Sequence, residues 1–280
     1  PEKSLIRCAV SIALGDIVRQ QKSSGLNDLV VQFSRQIDLE DLYMSSKSPF
    51  FTSSTRAFMQ CYEILNERDI VKGEFEKWMP KIFEEFQEKR KDNVSALILA
   101  SANGFYWTVD WLIRNGADVD KTDDIGFTAL THASIRGYDT VVSRLLRERI
   151  DINKSILNGR TALILSSYYG YPSVVQELLK AGADVDRIDN WNRTALMYAS
   201  QFSREDVVTI LLRENPEIDK SDIYGMTALM FACAEENDSI VRRVLNNGAD
   251  VNVKDKNGWT AFTFAHILRN ESILMLLLTQ

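Results

Sequence analysis

Thr128, Thr161, Thr194, Thr227 and Thr260 follow one another at a constant spacing of 33 residues, and Ser95 stands one period upstream. Each opens the same short phrase: SALILAS, TALTHAS, TALILSS, TALMYAS, TALMFAC and TAFTFAH. A period of this length makes each repeat one supersecondary unit that cannot bury its own apolar face and must stack on its neighbours. Within a unit, Thr or Ser can cap a first short helix whose Ala and Leu pack against adjacent units. A second apolar stretch follows, spaced as one face of a helix: Val141, Val142, Leu145 and Leu146, then Val174, Val175, Leu178 and Leu179, then Val207, Val208, Leu211 and Leu212. Three units close with GADV, at 116–119, 182–185 and 248–251. Glycine just past an apolar helix is the expected left-handed cap, and the Asp/Asn-rich stretch beyond it is turn chemistry. A hairpin such as Asp222, Ile223, Tyr224 and Gly225 then projects between units.

Taken together, the period, the TxL phrase, the paired-valine helix and the GADV close resemble the ankyrin repeat family. The resemblance covers about residues 91–280 as six units: 91–122, 123–155, 156–188, 189–221, 222–254 and 255–280. It implies an all-α fold, a helical solenoid, preceded here by an all-helical N-terminal capping region over 1–90. It also implies a non-enzymatic protein–protein interaction module, a scaffold or adaptor. The alternative it leaves open is the substrate- or target-recruiting region of a larger enzyme complex, such as a ubiquitin ligase or a translocated bacterial effector.

The chain departs from the family pattern in several places. Ala replaces the usual Pro after each Thr, and the usual His two residues further on is Ile98, Thr131, Ile164, Met197, Met230 or Thr263. Ser203, Glu236 and Arg269 stand where Gly104, Gly137 and Gly170 turn the chain between helices, and Arg149 and Asn215 replace the glycine of GADV. Local distortion is expected in these units. The last unit carries Met275 and Leu276 on its second helix where earlier units have polar residues, although terminal repeats normally show a polar outer face. Two readings are open: further chain covers this surface, or it is a patch for self-association or a partner. Pro1 as first residue also fits a piece cut from a longer protein.

The first 90 residues hold no alignable repeat. Leu5, Ile6, Ala9, Val10, Ala13, Ile17 and Val18 are spaced as one helix face, and Leu29, Val30, Phe33 and Ile37 suggest a second. A Ser-rich loop over 44–54 precedes helical patterns through Phe58, Cys61, Tyr62 and Leu65, and through Trp78, Ile82, Phe83 and Phe86, with Pro80 expected to kink or restart the last. Either a cap on the first repeat or a small independent helical domain satisfies these patterns.

Chemistry-bearing constellations are missing from the sequence. There are two histidines, His132 and His266, each inside the first helix of a repeat, where a structural role is expected, and no nucleophile elbow, phosphate loop, dinucleotide fingerprint or zinc spacing occurs. No catalytic residue, metal or cofactor is therefore expected. A net charge of −6 disfavours nucleic acid, which requires a concentrated basic face. Three lone cysteines fit a reducing intracellular compartment, and a cytoplasmic location is the corresponding expectation. No apolar run approaches the ~20 residues that span a bilayer.

Aromatics instead collect at the positions that, in the family, line a concave face: those flanking the hairpin turn and the pair closing the first helix. They hold Ile125 and Phe127; Arg160, Tyr168 and Tyr169; Trp191, Arg193 and Phe202; Tyr224 and Met226; and Trp259. Such residues are the types enriched at the centres of protein interfaces. The expected partner is a peptide or protein held in this groove, with Arg160 and Arg193 pairing an acidic group on it.

Overall fold

The computed structural model describes Glu63 and residues 95–279. The expected helices and the Ser-rich loop of the first 90 residues lie outside the described residues, Glu63 apart. The chain forms two compact units, 1–118 and 119–280. No strand occurs among the described residues, and no helix among them is long and apolar enough to cross a membrane.

In the first unit, α1 (Ala96–Ala102) and α2 (Tyr106–Arg114) form an antiparallel pair. Ser95 caps α1 by accepting from the Ile98 amide at 3.2 Å. Phe105, at the head of α2, has no capping side chain of its own. Glu63 does this from 44 residues upstream: its Oε1 accepts from the Thr108 amide at 2.7 Å and from Thr108 Oγ1 at 2.9 Å, and its Oε2 accepts from the Trp107 amide at 3.0 Å. A carboxylate on free N–H groups at a helix start is favoured by both hydrogen bonding and the helix dipole.

The second unit repeats the same pair five times. First helices are α3 (Ala129–Arg136), α5 (Ala162–Tyr169), α7 (Ala195–Gln201), α9 (Ala228–Ala234) and α11 (Ala261–Ile267). Second helices are α4 (Asp139–Leu145), α6 (Pro172–Lys180), α8 (Glu205–Leu212), α10 (Asp238–Asn246) and α12 (Glu271–Leu278). The recurrent threonines cap the first helices as their sequence position predicts. Thr128, Thr161, Thr194 and Thr227 each accept from the amide three residues on, at 3.2–3.3 Å. Thr131, in the place of the family's histidine, closes a reciprocal box by accepting from the Thr128 amide at 2.7 Å. Thr263 does the same for the Thr260 amide at 3.1 Å.

The first helices pack in one row and the second helices in another. Their shared core is built from the repeated letters: Ala162, Leu163, Val174, Val175 and Leu178 in one unit, Ala195, Leu196, Val207, Val208 and Leu211 in the next. Ile164, Met197 and Met230, which replace the family's histidine, are buried there too. One column of this core is polar or soft: Ser134, Ser167, Ser200 and Cys233 are all fully buried, and the three serine hydroxyls have no hydrogen-bond partner.

The expected distortion at non-glycine turns does not occur at four of the five positions. Ser203, Glu236 and Arg269 keep the left-handed backbone of Gly137 and Gly170, with φ of 53°, 54° and 56°, and Asn215 does so at 50°. The stacking of the next unit explains which units tolerate a side chain there. A Cβ on Gly137 would lie 2.6 Å from the ring of Tyr171, and one on Gly170 would lie 2.5 Å from Cδ of Arg204. The residues that follow in register, Asn237 and Asn270, are smaller, and Asn270 donates to Glu236 at 3.4 Å. At Arg149 the expectation holds: the residue does not enter the left-handed region, and α4 stops at Leu145, two residues short of the length of α6 and α10.

Candidate partner-binding face

Each hairpin between units is closed by the same backbone bonds. Asp123, Ile156, Asp189, Asp222 and Asp255 donate their amides to the carbonyls of Phe127, Arg160, Arg193, Met226 and Trp259 at 2.8–3.1 Å. Four of the five carry a buried carboxylate whose Oδ1 accepts two further amides of its own turn. For Asp189 these are Trp191 at 2.9 Å and Arg193 at 3.0 Å, and for Asp222 they are Tyr224 at 2.8 Å and Met226 at 3.0 Å. Ile156 lacks that carboxylate, and Asn158 substitutes in part by accepting from the Arg160 amide at 3.2 Å. Successive hairpins are joined by one backbone amide bond each, from Leu157 to the Ile125 carbonyl, Asn190 to Asn158, Ile223 to Trp191, and Lys256 to Tyr224, at 2.9–3.3 Å. The residues flanking the turns are thus held at fixed height from unit to unit.

The second oxygens of two of these carboxylates organise the centre of the face. Asp189 Oδ2 accepts from Tyr198 Oη at 2.6 Å and from Arg160 Nε at 3.3 Å, while Arg160 Nη2 donates to Tyr198 Oη at 2.7 Å. Asp222 Oδ2 accepts from Arg193 Nε at 3.0 Å, and Arg193 Nη1 donates to Gln201 Oε1 at 3.1 Å. Each arginine thereby reaches from its own hairpin to the aspartate of the next. Burial raises the Tyr198 phenol above its ordinary range, and its bond to Asp189 adds to the rise while Arg160 opposes it. The Arg160 guanidinium lies 4.8 Å from the Tyr198 ring centre, 5.3 Å from Trp191 and 5.6 Å from Tyr168. Tyr168 in turn packs 4.4 Å from Phe202 and 4.9 Å from Tyr169, ring centre to ring centre.

Of the residues singled out from the sequence, Ile125, Tyr169, Trp191, Phe202, Tyr224 and Trp259 are exposed. Trp191 is 39% and Tyr224 57% accessible. Phe127, Arg160, Tyr168, Arg193 and Met226 are half-buried, under or between them. Tyr168, Tyr169, Trp191 and Phe202 belong to one cluster with Arg160. Trp259 packs instead on Phe264 of its own unit, 5.5 Å away. Both arginines have acidic partners within the chain, Asp189 for Arg160 and Asp222 for Arg193.

Sequence reasoning missed Asp189, Asp222 and Tyr198, which hold the cluster, and Leu157, a hairpin-tip residue 74% accessible. Asp189 and Asp222 recur at the period of the threonines, which is the signal that could have found them. Tyr198 sits at the register position of His132, and His132 Nε2 lies 3.1 Å from Asp123 Oδ2 as its counterpart. Burial pulls the His132 imidazole below 6.5, while the contact with Asp123 pulls the other way.

Cys233 is buried, and burial is the main cause pushing its thiol up to about 12. No cluster of His, Cys, Asp and Glu among the described residues could hold a metal ion. On the last helix, Met275 is 61% accessible and Leu276 half-buried.

No curated protein matches the chain. A family model of three consecutive ankyrin repeats matches residues 71–156, 97–189 and 149–222, and a second ankyrin-repeat model matches 210–265. With well over half of its length covered and its helix pairs joined by hydrogen-bonded hairpins, the chain belongs to the ankyrin repeat family, whose repeats are protein–protein interaction modules.

Proposed function

We propose that the hairpin and first-helix face of residues 123–259, the concave face in family terms, binds a peptide or partner protein without catalysis. The observation that carries this reading is that Tyr169, Trp191, Phe202 and Tyr224 stand exposed on adjacent units, outside their buried cores. Exposed aromatics held in place by a hydrogen-bonded frame and by one another meet the requirements of interface anchors: large apolar area at low entropic cost. A few such anchors at about 2 kcal/mol each offset the cost of association. In this reading residues 91–280 are the binding domain and 1–90 a helical region preceding it.

The test is affinity capture with the parent chain beside the Trp191→Ala/Tyr224→Ala variant, each first checked for folding by circular dichroism. Partners retained by the parent and lost by the folded variant are the expected outcome. Retention of every partner by the variant would sink the reading.

A further inference from the structure

We infer that the segment received by this face is apolar and uncharged along its centre, and that the two arginines there serve as internal latches, not as receptors for an acidic group. The inference rests on the binding reading above and sharpens its partner chemistry. Arg160 and Arg193 are the arginines at the middle of the face, and each is committed to a buried aspartate of the following unit: Arg160 Nε to Asp189 at 3.3 Å and Arg193 Nε to Asp222 at 3.0 Å. The side chains of Asp189 and Asp222 are 0% accessible, whereas those of the arginines are 22% and 20% accessible.

An acidic partner would compete for each guanidinium with a fully buried carboxylate that already holds its Nε. Drawing Arg160 away would remove the charge pairing and leave Asp189 to the Tyr198 hydroxyl and two backbone amides. Arg160 would also forfeit its bond to Tyr198 at 2.7 Å and its place among three rings. The two pairs therefore present no net charge to a ligand. On the helix-end and hairpin rows, the other charged residues are at the outer positions. Arg136 and Glu235 are exposed three units apart on the helix-end row, with Tyr169 and Phe202 between them. Asp124 and Lys256 are exposed at the outer hairpins, with Leu157, Asn190 and Ile223 between them. What the centre offers is ring surface, so the complementary segment carries aliphatic or aromatic side chains and needs no carboxylate.

A random peptide library displayed on phage and panned against the full chain, with the Trp191→Ala/Tyr224→Ala variant as counter-screen, tests this. The expected result is enrichment of peptides with apolar and aromatic side chains and no excess of Asp or Glu, lost on the variant. Affinity of a synthesised representative should change less than about 2-fold between roughly 50 mM and 500 mM salt, a range that shortens the reach of exposed charges from about 14 Å to 4 Å. Enrichment of acidic peptides that need Trp191 and Tyr224, and that weaken about 10-fold or more over that range, would overturn the inference while leaving the binding face in place. Peptides that bind parent and variant equally, or no enrichment at all, would overturn the binding face itself. If the double variant does not fold, Tyr224→Ser alone, at an exposed hairpin site, serves as the counter-screen.

Discussion

Ser203, Glu236 and Arg269 each hold a left-handed backbone that suits glycine, at φ of 53–56°. The strain costs roughly 1–2 kcal/mol per L-residue, and the extra unfolded-state freedom of glycine returns roughly 0.4–1 kcal/mol of that. Ser203→Gly and Arg269→Gly are therefore predicted to stabilise the chain by about 0.5–1 kcal/mol each, seen as a higher midpoint in urea unfolding. Glu236→Gly gains less, because Glu236 accepts from Asn270 at 3.4 Å. His132 provides a pH-dependent case. Its folded pKa lies below 6.5, so the unfolded chain takes up the proton more readily. Its contribution to stability is then lost as pH falls below about 6.5 towards the folded value, and is level above it. Tyr198 occupies the same register position and bonds the same aspartate column. The variant His132→Tyr should accordingly lose less stability than the parent between pH 7 and pH 5 when both are followed by thermal melts. A parallel pH slope in the two proteins would count against this account of His132.

At the scale of elements, the capping threonines, the alternation of short helices and the apolar pairs of the second helices are all legible in the sequence, because each depends on neighbours within a few residues. The hairpin frame is not. The role of Asp189 depends on two amides of its own turn and on an arginine 29 residues upstream, and the latter contact exists only once two units are stacked. For the same reason Arg160 and Arg193 read as free charges until the next hairpin is in place. The aromatic positions themselves were legible, since the register marks them as outside the core, but Tyr198 reads as one more apolar helix residue until its hydroxyl is seen bonded to Asp189. The frame makes an ordered prediction. Asp189→Ala should cost about 3 kcal/mol, since it removes the acceptor of the Trp191 and Arg193 amides, of Arg160 Nε and of the Tyr198 hydroxyl. Arg160→Ala should cost less, about 1–2 kcal/mol, because its head is partly exposed and Tyr198 still donates to Asp189. Denaturant melts of the two variants and of their double mutant should give a non-additive cycle. Additive losses, or the reverse order, would contradict the latch.

At the largest scale, the five helix pairs of 119–280 contact mainly their neighbours, so their stability is a sum of unit and interface contributions. The last unit differs in its core. Its first helix α11 buries only Ala261 and Ala265, whereas α7 and α9 each bury six residues. Native-state hydrogen exchange is therefore predicted to be fastest in α11 and α12 and slowest in α5 to α9. Uniform protection across the five helix pairs would argue that the solenoid unfolds as one block. The central units, whose first helices bury six residues each, are also those that carry Trp191, Phe202 and Tyr224 of the proposed binding face. The most direct test of that face is calorimetric titration of a library-selected peptide into the parent and into folded Trp191→Ala/Tyr224→Ala. A loss of at least about 30-fold in affinity is predicted, corresponding to about 2 kcal/mol or more, and affinities that agree within about 2-fold would contradict the account.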